Sequence, residues 1–123
     1  MGKHNDLGKK GEQTACDFLI EKNWKILEKN WRTGRAEVDI IAKDRHVLVF
    51  VEVKTRTNDI FEKPEEAVST KKRRLMIRAA INYMLKINHD GAIRFDIIGI
   101  IIKNEKHFIE HISDAFFPGI EVE

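Results

Sequence analysis

The chain of 123 residues contains one cysteine, Cys16, so no disulfide within the chain can brace it. Followed by Asp17 and Phe18 in a helical pattern, Cys16 reads as a packed core thiol, and a reducing compartment is favoured. Long hydrophobic runs are missing as well. The longest, at 97–102, is too short to cross a bilayer, and residues 1–10 are polar without the apolar centre of a secretion signal. A soluble cytoplasmic protein with no membrane partner is therefore expected. Charge of one sign is also scarce: 22 Lys and Arg stand against 20 Asp and Glu, and the net charge of +2 falls short of a strongly basic nucleic-acid footprint. Aromatic residues make up 8% and are scattered, which argues against a stacking platform for single strands. Repeats, low-complexity tracts and linker-like stretches are absent, so residues 1–123 are expected to form a single domain.

What the chain does have is charge in unusual places. Asp39, Glu52 and Lys54 interrupt two apolar segments, 36–42 and 47–54, that otherwise read as buried strands. Joining them through a four-residue turn at 43–46 sets Ala42 against Val47 and Asp39 against Phe50. Glu52 then becomes the diagonal neighbour of Asp39, roughly 7 to 8 Å away. Alternation puts Leu48, Phe50, Glu52 and Lys54 on one face with Glu37, Asp39 and Ile41, and Val47, Val49, Val51 and Val53 on the other. Two carboxylates leaning together could share one divalent cation, with a lysine beside them to meet an anion. Acids in strands also serve to blunt sheet edges. A strand that is apolar on both faces, however, belongs in the middle of a sheet.

Around this hairpin, a helix is expected from a cap at Asp6 to Glu21, carrying Leu7, Gly11, Ala15, Phe18 and Leu19 at helical spacing. An edge strand follows at 24–31. A second helix is expected from Pro64, with Glu65 and Glu66 at its positive end, to Lys86, burying Val68, Leu75, Met76, Ala79, Ala80, Tyr83 and Met84. Strands at 92–102 and 107–112 complete the order αβββαββ. The fold class is α/β (α+β), a mixed central sheet flanked by helices. Residues 71–78 contain Lys71, Lys72, Arg73, Arg74 and Arg78 and no acid, a face suited either to solvent or to nucleic-acid phosphates. Arg94 and Asp96 share a strand face and are expected to pair. His107 and His111 would stand about 13 Å apart in a strand, at roughly 3.3 Å per residue, too far for one metal.

The order of elements and the Glu-Val-Asp of 37–39, followed by Glu52-Val53-Lys54, resemble the PD-(D/E)XK nuclease superfamily, with its restriction-endonuclease-like core. With Gly8, Gly11, Glu12, Ala15, Asn30, Thr55, Arg56, Ala67, Lys71, Arg94, Phe95, Asp96, Ala115 and Phe116 added, the pattern is similar to that of the bacterial YraN-like family, grouped with Holliday-junction-resolvase-like nucleases. Ala36 stands where that pattern usually has glycine. The resemblance implies that Asp39, Glu52 and the Val53 carbonyl hold Mg²⁺ or Mn²⁺, with Glu12 contributing from the first helix and Lys54 acting on the attacking water or the phosphate. Oxygen donors without cysteine or histidine suit a hard cation.

The function expected is therefore metal-dependent cleavage of phosphodiester bonds, with DNA as partner and Lys71, Lys72, Arg74, Arg78 and Arg56 touching nucleic acid. A homodimer would place two sites across a branched substrate. The alternatives are a non-catalytic nucleic-acid-binding accessory module that keeps the nuclease fold, and a protein-interaction domain in which the acids are structural.

Overall fold

The first helical stripe docks as its spacing predicts. In a computed structural model that describes residues 3–57 and 68–116, helix α1 (Lys3–Glu21) buries Ala15, Cys16 and Leu19. It begins at Lys3, which corrects the expected cap: Asp6 lies inside the first turn. Asn23, at φ 68°, ends it in the left-handed conformation that asparagine tolerates, and the Asn23 N–H donates to the Ile20 carbonyl at 2.9 Å. Helix α2 (Thr70–Ile87) buries Met76, Ile77, Ala79, Ala80 and Tyr83. Its start is later than expected. Ser69 is extended (φ −67°, ψ 163°) and its hydroxyl accepts from the Lys72 N–H, so Val68 precedes the helix. Pro64, Glu65 and Glu66 lie outside the described residues.

Five strands form one sheet in chain order: β1 (Lys25–Thr33), β2 (Ala36–Asp44), β3 (Val47–Arg56), β4 (Ile93–Lys103) and β5 (Lys106–Ile112). The first three make an antiparallel meander with β1 at the edge, β4 runs parallel to β3 after α2, and β5 returns antiparallel. The order αβββαββ and the mixed sheet are those expected from the sequence. One core, with Ile40, Ala42, Val49, Val51, Ile98 and Ile100, lies under α1; the other, with Ile41, Leu48, Phe50, Phe95 and Ile97, lies under α2. Fully burying each Val, Leu, Ile or Phe side chain among them stabilises the fold by roughly 1.5–3 kcal/mol. The second core also fixes the start of α2: Phe95 stacks on Phe116 at 4.9 Å, Arg73 lies over Phe116, and Arg73 Nε donates to the Val68 carbonyl at 3.1 Å.

The hairpin register differs from the one expected. Asp44 pairs with Val47 and Ile41 with Phe50, so the turn has two residues, Arg45 and His46, with Arg45 at φ 60°. Arginine is not a residue that announces this turn, which favours Asn or Gly. The shift is by two residues, so Glu52 keeps its face. Continued one step past Ile40–Val51, the pairing brings Asp39 level with Glu52 rather than with Phe50.

There the sheet divides. The pairing between β2 and β3 stops at Ile40–Val51, while β2 continues beside β1 to Thr33–Ala36 and β3 continues beside β4 to Arg56–Ile101. The strict alternation assumed for β2 also breaks: Val38 joins the core under α2 but Ile40 joins the core under α1. On the neighbouring strand Asn30, at φ 52°, sits between Lys29 and Trp31, the partners of Ile40 and Val38. A fork therefore opens between β2 and β3 at the level of Asp39.

Candidate functional site

A fork in a sheet leaves backbone groups without ladder partners, and buried backbone groups are costly when unpaired. The Val53 N–H is met by a side chain: Asp39 Oδ2 accepts it at 2.8 Å. Glu52, 3% exposed, stands beside Asp39 in the same cleft. Burial, then the neighbouring Glu52, raise the Asp39 pKa from its ordinary value to about 8, more than the Val53 N–H can offset. Glu52 is also raised, by burial, although Lys72 opposes the rise. Two buried acids side by side each disfavour the charge of the other, so both are pushed in the same direction.

Opposite these acids stands the first turn of α2. The Lys72 ammonium pairs with Glu52 Oε2, and it also feels the charges of Asp39 and Glu37. Desolvation alone would lower its pKa; Glu52 outweighs that and leaves it raised. The cleft has a volume of about 240 Å³ and is lined by Glu37, Asp39 and Glu52 from the sheet, Lys71 and Lys72 from α2, and Arg35 from the turn before β2. Ser69 and Leu75 complete the lining. A wider groove of about 410 Å³ beside Ile81, Met84 and Leu85 contains no comparable pair of buried acids.

Glu12 approaches from α1 and adds to the upward push on Asp39. Its helix can come this close because residue 11 is glycine: a Cβ there would lie 1.9 Å from Thr55 Oγ1. Lys54 is exposed and outside the cleft lining, while Val53 turns its N–H to Asp39. Lys71, Arg74 and Arg78 are exposed along α2, whereas Arg56 is 8% exposed at the end of β3. Lys72, expected among the outward basic residues, instead joins the acids. The cleft also gathers Arg35 and Glu37, of which the sequence signals only Glu37, through its alternation onto the Asp39 face.

Among the described residues, no group of three or more His, Cys, Asp or Glu side chains is gathered so as to hold a metal ion. Asp39 and Glu52 by themselves offer oxygen donors of the type a hard divalent cation takes. His111 has another task. Its Nε2–H donates to Asp96 Oδ2 at 2.7 Å, and its Nδ1 accepts from Lys22 at 3.1 Å, an assignment forced because lysine can only donate and a carboxylate only accept. Arg94 completes the expected pair with Asp96 through two bonds of 2.8 and 3.0 Å.

A layered α+β fold with a forked mixed sheet and acids at the fork is the class these features define. The chain belongs to Uncharacterised protein family UPF0102, the YraN-like family of the restriction-endonuclease-like superfamily, whose model matches residues 11–100. It is 47% identical over 120 residues to a UPF0102 protein of Bacteroides thetaiotaomicron, covering 98% of this chain and 99% of that one. A UPF0102 protein of Phocaeicola vulgatus is 43% identical over 120 residues, with the same coverage. One from Thermodesulfovibrio yellowstonii is 46% identical over 112 residues, covering 91% of this chain and 96% of that protein. No described helix is long and apolar enough to cross a membrane.

Proposed function

We propose that the fork is the active site of a divalent-cation-dependent nuclease that cleaves phosphodiester bonds, with DNA as substrate. The observation that carries this reading is the adjacency of Asp39 and Glu52, two carboxyl groups in one cleft that Arg35, Lys71 and Lys72 also line. A phosphodiester brings negative charge and a hard cation brings positive charge; the cleft lining holds groups suited to each. Asp39 and Glu52 would hold Mg²⁺ or Mn²⁺, with the Val53 carbonyl and Glu12 beside them, and such a cation supplies Lewis-acid stabilisation and a more acidic bound water. The side chains do the rest. Asp39 stays oriented through the Val53 N–H, and Lys71 and Arg35 attract and align the phosphate. Arg74 and Arg78 extend the basic face along α2, and Lys54 and Arg56 belong to the proposed set at the end of β3.

A second reading has an observation of its own. Glu52 already has a cationic partner in Lys72, and Lys54 is exposed, which suits an accessory module that binds nucleic acid without cutting it. Calorimetric titration with Mn²⁺ separates the two. The nuclease reading expects one site in the wild-type protein that is lost in Asp39→Asn, followed by cation-dependent cutting of linear or branched DNA. DNA binding that ignores both Mn²⁺ and the substitution would instead establish the accessory module.

A further inference from the structure

Lys72 is placed where a bound cation would be placed. Its ammonium pairs with the buried carboxylate of Glu52 in the cleft that Asp39 and Glu37 also line, so it stands where the acids of the fork gather. It is held there from two directions. Packing of Phe116 and Arg73 sets the helix start over the sheet, and the Ser69 hydroxyl accepts the Lys72 N–H, fixing the first turn of α2. The amine is not sealed in: the side chain is 47% exposed, and Lys71 and Arg35 line the same cleft, so it has an outlet toward the rim. We infer that Lys72 is the resident counter-ion of the fork and competes with a divalent cation for Glu52. The inference rests on the cation-binding reading above and adds to it that loading the site requires breaking the Lys72–Glu52 pair. Lys72 is in this sense a positioning residue: it holds the Glu52 carboxyl group aimed into the cleft until a cation replaces it.

Two readouts test this without any cutting assay. Mn²⁺ titrated into Lys72→Met should bind roughly tenfold or more tightly than into the wild type, because no ammonium has to be displaced, while Lys72→Arg should show no gain. In the wild-type protein, acetylation of Lys72 followed by mass spectrometry should speed up several-fold when Mn²⁺ is added, and should not respond in Asp39→Asn. The labelling arm needs no substitution at Lys72, so it decides the matter if Lys72→Met does not fold. Equal or weaker Mn²⁺ binding by a folded Lys72→Met, or wild-type labelling unchanged on loading, overturns the competition; if Asp39→Asn still abolishes binding, the cation site itself stands. No Mn²⁺ binding by the wild type or by Lys72→Met overturns both.

Discussion

Asp39 and Asp96 are aspartates on two interior strands of one sheet, and the fold treats them in opposite ways. Burial would raise the pKa of either. At Asp96 the His111 Nε2–H, the Arg94 guanidinium and the Asp114 N–H all donate to the carboxylate, and together they pull its pKa below the ordinary range. At Asp39 one N–H donates and another acid stands alongside, so its pKa rises to about 8. A buried carboxylate surrounded by donors ties strands together. One that faces a second carboxylate is a charge without sufficient compensation, the condition in which a cation is welcome.

The largest effect should come from breaking the satisfied member of this pair. Asp96→Ala removes the fully buried acceptor of Arg94 and His111, leaving Arg94 only its 3.4 Å bond to Asp44, and a loss of about 3–5 kcal/mol is expected in urea unfolding. Next is the wall that brings Glu12 to the fork: Gly11→Ala drives a methyl group into Thr55 and should cost about 1–3 kcal/mol by the same measurement. Asp39→Asn should go the other way. Asparagine can still accept from Val53 but removes one acid, so the variant should be more stable than wild type by about 1 kcal/mol at pH 8. The smallest effect belongs to Arg32→Ala, which removes an exposed pair with Glu37 and should change stability by less than about 0.5 kcal/mol.

The contrast also has a pH signature. Between about pH 4 and pH 8 the folded protein retains a proton on Asp39 that the unfolded chain releases near 3.8. The folded state then binds more protons than the unfolded one, so this group's contribution to stability falls as pH rises through that window and levels off above it. Asp96 has the opposite sign: its contribution is present above the ordinary carboxylate value and is lost as pH falls through its lowered folded value. Urea unfolding from pH 5 to pH 8.5 should therefore show a decline in the wild type that Asp39→Asn flattens. An equal decline in both proteins would remove Asp39 as its source.

Much of the fold is written locally. The valines at 47, 49, 51 and 53 define one face of β3 and so direct Glu52 to the other; the stripe of Ala15, Cys16 and Leu19 docks α1; and the edge position of β1 follows from its lysines. Helix signals at Pro64, Glu65 and Glu66 obscured the cap at Ser69, and with it the aim of Lys72. The tight turn at Arg45 lacks the usual Asn or Gly, which hid the register.

The sequence by itself determined the order of elements, the central position of β3 and the presence of acids inside its hairpin, because apolar alternation and spacing are properties of neighbouring residues. Only the tertiary structure decided that the sheet forks at Ile40–Val51, that Asp39 turns to Val53, and that Lys72 rather than Lys54 meets Glu52. Those outcomes depend on where one strand parts from another and on where a distant helix begins. Both are set by packing between segments far apart in the chain, which no local pattern records.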